Sequence, residues 1–314
     1  MNSRTRIGFQ GEPGAFSEGA VHTYHRDAVA VPRSTFQDVV DALASGEDDY
    51  GVLPVENSLA GGVTSAWDVL SESPVNVVAE VVLPVRLCLL ALPGATLAEL
   101  REARSHPVAL AQCRRFLKAI PRLRPMAVDD TAGAARAVAA AADPGVAAIA
   151  SAEAGDRYGL VCLAADIQDR ADNQTRFFVL RRERGEDLDV VGDSVTEPRS
   201  AAGSTAGTQP PWSPSSPGAG SPRPPLKTAL FAVTDDRPGA LRDLLAVFAD
   251  RALDLSHITS RPGGTPWTYA FVIEVRHYTP AEVDDALRAA RAATRSIRVL
   301  GTFPAAGTGA RAQG

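Results

Sequence analysis

The chain has 314 residues, 45% of them hydrophobic, with a formal net charge of −5 and a pI near 5.6. That apolar share suits two or three domains with cores of their own. An acidic balance without a basic stripe excludes a surface that tracks nucleic-acid phosphates. The opening MNSRTRIGFQ has no long apolar region of the signal-peptide kind, and no unbroken apolar run is long enough to span a bilayer, so a cytoplasmic protein without membrane contact is expected. Cys88, Cys113 and Cys162 are odd in number and far apart, which reads as reduced thiols in apolar segments and not as disulfides or a metal site.

From Arg6 to about Leu180, short β-branched runs alternate with longer one-sided amphipathic stretches, the pattern of an α/β fold with a largely parallel sheet. In chain order the expected strands are IGFQ, AVAVP, YGVLPV, VNVVAEV, VRLCLLAL, MAVD, VAAIA and TRFFVL. Expected helices run from Phe16 to Tyr24, Phe36 to Ala44, Leu110 to Ile120 and Ala132 to Ala142, where apolar residues recur three and four apart. The long run VNVVAEVVLPVRLCLLAL is broken by Pro84, which cannot sit in a central ladder. The break points to one strand leaving a first lobe and another entering a second, with a cleft between them.

Residues 183–226 form a Pro/Gly/Ser-rich tether with no apolar periodicity and one tryptophan, Trp212; such composition predicts a disordered linker. Beyond it, KTALFAVTD, GALRDLLAVFADR, LDLSHITSRP, WTYAFVIEVR, PAEVDDALRAARAA and IRVLGTFP read as βαββαβ, the ferredoxin-like arrangement, over 227–304. Asp236 and Pro238 signal the start of its first helix. Residues 305–314 read as a disordered tail.

Four segments of the first unit gather polar atoms where strands end, the place where open α/β sheets bind ligands. GEPGAFSE, residues 11–18, joins a strand to a helix; it is either a plain turn or an anion cradle built from the amides near Gly14 and the Ser17 hydroxyl. VLPVENSLAGG, residues 52–62, stops abruptly at Glu56, Asn57 and Ser58; capping accounts for one of these residues but not for the carboxylate. SHPVALAQC, residues 105–113, offers Ser105 as an N-cap, Pro107 in the first turn and His106 as a structural or acid–base histidine. DNQTRFFVL, residues 172–180, sets Asn173, Thr175 and Arg176 at the mouth of a buried strand. Adjacent strand residues point to opposite faces, so Thr175 and Arg176 cannot both face one surface.

Together with LPVRLCLLALPG (83–94), VDDTAGAA (128–135) and IQDRADNQTRF (167–177), these segments resemble the prephenate dehydratase family and its arogenate dehydratase relatives. The C-terminal unit resembles an ACT domain, with RPGAL (237–241) and TSRP (259–262) in its effector-binding motifs. The resemblance implies a two-lobed catalytic unit like type II periplasmic binding proteins, spanning 5–182, that converts prephenate to phenylpyruvate with no cofactor and no metal. It implies Thr175 as the essential catalytic residue, with Glu56 as either acid or fixed anion. Gly14, Ser17, Asn57, Ser58, Ser105, Asn173, Arg176 and Phe177 would bind substrate. Gly239, Ala240, Leu241, Ser260, Arg261 and Pro262 would bind an amino-acid effector such as phenylalanine, and ACT domains side by side would build a homodimer or homotetramer.

Departures concentrate in the effector motif, where Thr259, Asp254 and His257 replace the usual residues, and Val108 follows Ser-His-Pro where glutamine is usual. With the long tether they imply loose coupling and weak feedback. Arogenate dehydration is the alternative activity, and a non-catalytic small-molecule binder is the rival of another class.

Overall fold

The computed structural model describes residues 4–183, 225–263 and 268–306. The tether, Trp212 and the tail beyond residue 306 therefore lie outside the described residues.

In the first unit, β1 (Arg6–Gln10), β2 (Val29–Arg33), β3 (Tyr50–Asn57), β5 (Val75–Pro84) and β11 (Gln174–Arg182) form a sheet in the order β2-β1-β3-β11-β5, with the short β4 (Gly61–Gly62) pairing β3. β1 runs parallel to β2 and β3, whereas β11 is antiparallel to β3, so the sheet is mixed and not largely parallel. The reason is connectivity: β11 re-enters this sheet after the chain has built a second lobe. Helices α1 (Phe16–Tyr24), α2 (Phe36–Ser45) and α3 (Thr64–Glu72) belong to this lobe. α2 starts in a capping box of Thr35 and Asp38, an arrangement that stabilises a helix start by about 1 kcal/mol. Ile7, Phe9, Val39, Leu43, Leu53, Trp67 and Phe177 to Leu180 are fully buried.

The chain leaves this sheet after Pro84 and builds a second one in the order β10-β6-β9-β7-β8. Its strands are β6 (Cys88–Ala91), β7 (Glu102–Ser105), β8 (Arg124–Ala127), β9 (Val146–Ala150) and β10 (Val161–Ala164). β7 escapes sequence reading because it alternates Glu102 and Arg104 with its two buried positions, and β10 because it is a short edge strand with no fully buried position. The helix expected over Leu110 to Ile120 is two short ones, α4 (Pro107–Gln112) and α5 (Arg114–Ala119), broken at the fully buried Cys113. Burial pushes the Cys113 thiol up to about 12, the state of a packed and unreactive side chain. α6 (Thr131–Ala141) and α7 (Ala152–Tyr158) complete the lobe. Residues 85–87 and 165–173 are its two crossovers, and they bond to each other: Val85 N donates to Asn173 O at 2.8 Å and Ile167 N to Leu87 O at 2.9 Å.

The second unit is βαββαβ as read: β12 (Leu226–Val233), α8 (Ala240–Ala249), β13 (Asp254–Pro262), β14 (Tyr269–His277), α9 (Pro280–Ala292) and β15 (Ser296–Pro304). The sheet is antiparallel in the order β13-β14-β12-β15, over a core that includes Leu230, Leu244, Phe248, Ile273 and Leu287. The N-cap of α8 is Gly239 at φ +84°, directly after the start signal of Asp236 and Pro238; that left-handed conformation costs glycine little.

His277, 1% exposed, sits in a closed network. Its Nδ1 lies 2.9 Å from the Thr279 carbonyl, which can only accept, so Nδ1 carries the proton and Nε2 accepts from the Thr228 hydroxyl at 2.9 Å. Burial, opposed by the Thr279 carbonyl, holds the His277 pKa below its ordinary value. The folded pKa lies under the unfolded one, so the stabilisation is present above about pH 6.5 and is lost as pH falls through the folded value. Thermal unfolding between pH 7.5 and 5 should show a falling midpoint, and His277→Gln should flatten that dependence.

Candidate active site

β1 and β3 are parallel and β11 runs against them, so the C-terminal ends of the first two and the N-terminal end of the third share one sheet edge. That topology gathers loop 11–15, Asn57 and Thr175 on one rim. In the second lobe, parallel β7 and β9 end at Ser105 and Ala150 and run into α4 and α7.

The register sets Thr175 opposite Asn57 and Arg176 opposite Glu56. Asn57 Nδ2 donates to Thr175 Oγ1 at 3.0 Å, to Asn173 Oδ1 at 2.9 Å and to Gln174 O at 3.1 Å. Its Oδ1 accepts from the amides of Leu59 and Ala60 at 3.1 and 2.9 Å. Both ends of this amide are therefore assigned, and the Thr175 hydroxyl is an acceptor toward Asn57. Its own proton is turned elsewhere, as a group that must donate to a ligand requires. Ser58 closes the loop: its Oγ accepts from Gln174 N at 2.9 Å and its amide donates to Gln174 O at 2.8 Å.

On the other face, Arg176 reaches Glu56 Oε2 through Nε at 3.1 Å and Nη2 at 2.9 Å, and Glu80 Oε2 through Nη1 at 3.2 Å. Its guanidinium lies 5.3 Å from the Phe178 ring centroid. The Glu80 side chain is 1% exposed. These positions separate Glu56 and Arg176 from Thr175 by the thickness of the strand and engage both charges within the protein. A bulge between Arg176 and Phe177 leaves Val55 without a cross-strand partner, and the Val55 carbonyl accepts from Trp67 Nε1 and Val63 N instead.

Other expected site residues have structural surroundings. Phe177 is 1% exposed, in the core. Ser105 is the buried last residue of β7; its hydroxyl donates to Ile149 O at 2.6 Å, and the N-cap of α4 is His106, whose Nδ1 accepts from Val108 N. The Gly14 amide is occupied by Glu18 Oε2, so the anion at this turn is the protein's own. Gly14 has φ +93° and packs so closely that a Cβ there would meet Ala154 Cα at 2.9 Å. Ser151 Oγ and Tyr158 OH of the second lobe donate to Gly14 O and Pro13 O at 2.9 and 2.8 Å, while Arg157 pairs with Glu18. The segment that holds Gly14 thus joins the lobes, and Ser17 is buried in the first turn of α1.

Gln112 is a site residue that local sequence pattern does not mark. Its Oε1 accepts from Asn173 Nδ2 at 2.9 Å, and Asn173 is 1% exposed. The nearest thing to a signal is the lone amide closing the apolar SHPVALAQC helix. Gln112 and Asn173 line a cavity of about 290 Å³ together with Leu59, Ala111, Arg114, Gln168, Asp169 and Arg170. Arg170 pairs with Asp172 and holds its carboxyl below the usual carboxylate range. The lining sets Arg114, Arg170 and the amides of Gln112, Gln168 and Asn173 beside the carboxylate of Asp169, a polar surface of mixed charge.

The family model described as prephenate dehydratase matches residues 7–185, and that of the ACT domain matches residues 228–290. An arogenate dehydratase/prephenate dehydratase from Arabidopsis thaliana is 36% identical over 313 residues, covering 96% of this chain and 73% of the relative. A solved structure described as GqqA, a novel type of quorum-quenching acylase, superposes with a TM-score of 0.78 at 30% identity, covering 96% of this chain and 98% of its own. A prephenate dehydratase from Arthrobacter aurescens in complex with L-Phe gives 0.77 at 27% identity, over 96% and 92% of the two chains. By these matches the chain belongs to the prephenate dehydratase family and is a lyase, with an α/β catalytic unit followed by an ACT domain.

Proposed function

We propose that this lyase expels the ring carboxylate and ring hydroxyl of prephenate together, with the Thr175 hydroxyl donating to the departing oxygen. The observation that carries the reading is the 3.0 Å contact in which Asn57 Nδ2 donates to Thr175 Oγ1, freeing the threonine proton for the ligand. The C–C bond to the carboxylate breaks, its electron pair enters the ring, the C–O bond breaks, and hydroxide leaves, taking a proton from solvent to become water. The products are phenylpyruvate, carbon dioxide and water, and aromatisation drives the step without a cofactor. Threonine is a weak acid, so its part is to polarise the leaving group and not to lose its proton outright.

The substrate is a dianion. Arg114 at the cavity mouth is the cation we assign to one of its carboxylates, in place of Arg176 and Arg170, which are committed to Glu56 and Glu80 and to Asp172. Acyl transfer would need a base on the Thr175 hydroxyl; an amide donor is there instead, which favours elimination.

In the ACT domain we propose phenylalanine as effector, held by Gly239, Ala240 and Leu241 at the start of α8 and by Ser260, Arg261 and Pro262 on β13. We further propose a cytoplasmic homodimer or homotetramer assembled through these domains. No helix among the described residues is long and apolar enough to cross a membrane.

Initial rates on prephenate and arogenate, each with and without phenylalanine, test the reading. The expected result is a higher kcat/KM for prephenate and partial inhibition by phenylalanine. A strong preference for arogenate would reassign the substrate, and sharp, complete inhibition would refute weak coupling through the tether.

A further inference from the structure

We infer that Gln112, on the second lobe, is a positioning residue that sets the donor direction of Thr175 on the first lobe through two intervening amides. The inference rests on the assignment of Thr175 to the leaving group.

The contact chain is continuous. Asn173 Nδ2 donates to Gln112 Oε1 at 2.9 Å, Asn57 Nδ2 donates to Asn173 Oδ1 at 2.9 Å, and Asn57 Nδ2 donates to Thr175 Oγ1 at 3.0 Å. Each amide has one accepting and one donating end, so fixing one orientation fixes the next. The Leu59 and Ala60 amides on its oxygen fix which end of Asn57 donates, so even a displaced Asn57 keeps its NH2 toward Asn173 and Thr175. Asn173 is different: it is 1% exposed, and its side-chain orientation is set by an acceptor at one end and a donor at the other. If Gln112 did not accept, a rotated Asn173 would place its NH2 against the NH2 of Asn57 at the present 2.9 Å separation. Asn57 would then shift, and its hold on Thr175 with it.

Gln112 also lines the 290 Å³ cavity. With Oε1 committed to Asn173, its Nε2 hydrogens are the end available to an anionic ligand. A carboxylate accepting from Nε2 would reinforce the same orientation along the whole chain of amides. Gln112 closes α4, and its carbonyl accepts from Asp169 N at 2.6 Å on the returning crossover. The relay therefore runs through the segment where the two lobes meet, and Thr175 is aimed only while the lobes hold this arrangement.

The test compares Gln112→Leu, which removes the acceptor, with Gln112→Glu, which keeps an acceptor toward Asn173 but loses the donor toward the ligand. Gln112→Leu is expected to lower kcat roughly tenfold or more. Gln112→Glu should keep kcat near wild type and raise KM, since a carboxylate then faces an anionic substrate. Equal kcat losses in the two variants, or wild-type kcat in Gln112→Leu, would overturn the relay. Side-chain amide resonances of Asn57 and Asn173 give a readout independent of turnover. The leucine variant should move both pairs and the glutamate variant should leave the Asn57 pair in place; unmoved resonances in Gln112→Leu would also overturn it. A wild-type chain without turnover on either substrate would defeat the functional reading, and the resonances would still decide the relay.

Discussion

Thr175→Val is expected to lower kcat on prephenate by about 10²–10³-fold, the usual cost of losing one donor aimed at charge that develops in the transition state. Valine matches threonine in shape, and Thr175 is half-buried at the sheet rim, so packing changes little. The lost atom is the hydroxyl that Asn57 orients. Thr175→Ser restores the hydroxyl and should recover most of the rate, with KM for prephenate near wild type in both variants. Steady-state kinetics beside thermal midpoints check this. A valine variant within tenfold of wild-type kcat would remove Thr175 from the chemistry.

Arg176→Gln should act on stability. It withdraws the guanidinium from Glu80, whose side chain is 1% exposed, and from Glu56. Breaking a buried pair from one side costs about 3–5 kcal/mol, and for a unit of this size that lowers the unfolding midpoint by roughly 10 °C. The cation's stacking on Phe178 is lost as well. If Arg176 instead held a substrate carboxylate, the midpoint would stay put and KM would rise. Thermal unfolding together with KM separates the two. A raised KM at unchanged midpoint would return Arg176 to the substrate site.

The two cases show why neighbouring residues of one motif differ in legibility. Period-two alternation is a local rule, so the opposite facing of Thr175 and Arg176 could be read from the string. What each faces depends on the residues across the ladder. The register of β11 on β3 is set by a long-range pairing that includes a bulge at Val55, and nothing local announces it. Gln112 is the same problem at greater separation: its partner Asn173 is 61 residues away and on the opposite side of a crossover. Ser105 shows the reverse error. A serine before His-Pro has the chemistry of a cap, but in the folded chain it is a buried strand end bonded to Ile149 O, and His106 takes the cap.

The sequence by itself determined the α/β character of the first unit, the break at Pro84 that divides it into two lobes, the βαββαβ order of the second unit, and the cluster of polar groups at strand ends. These follow from local periodicity, proline geometry and turn chemistry, which act over a few residues. Only the tertiary structure decided that the sheets are mixed, that Glu56 and Arg176 neutralise each other away from Thr175, and that three amides from separate segments link in a chain that ends on one hydroxyl. Such placements depend on which segments meet after the chain has crossed between lobes twice. Hydrogen-bond direction in a buried amide chain is fixed only by the full set of its neighbours.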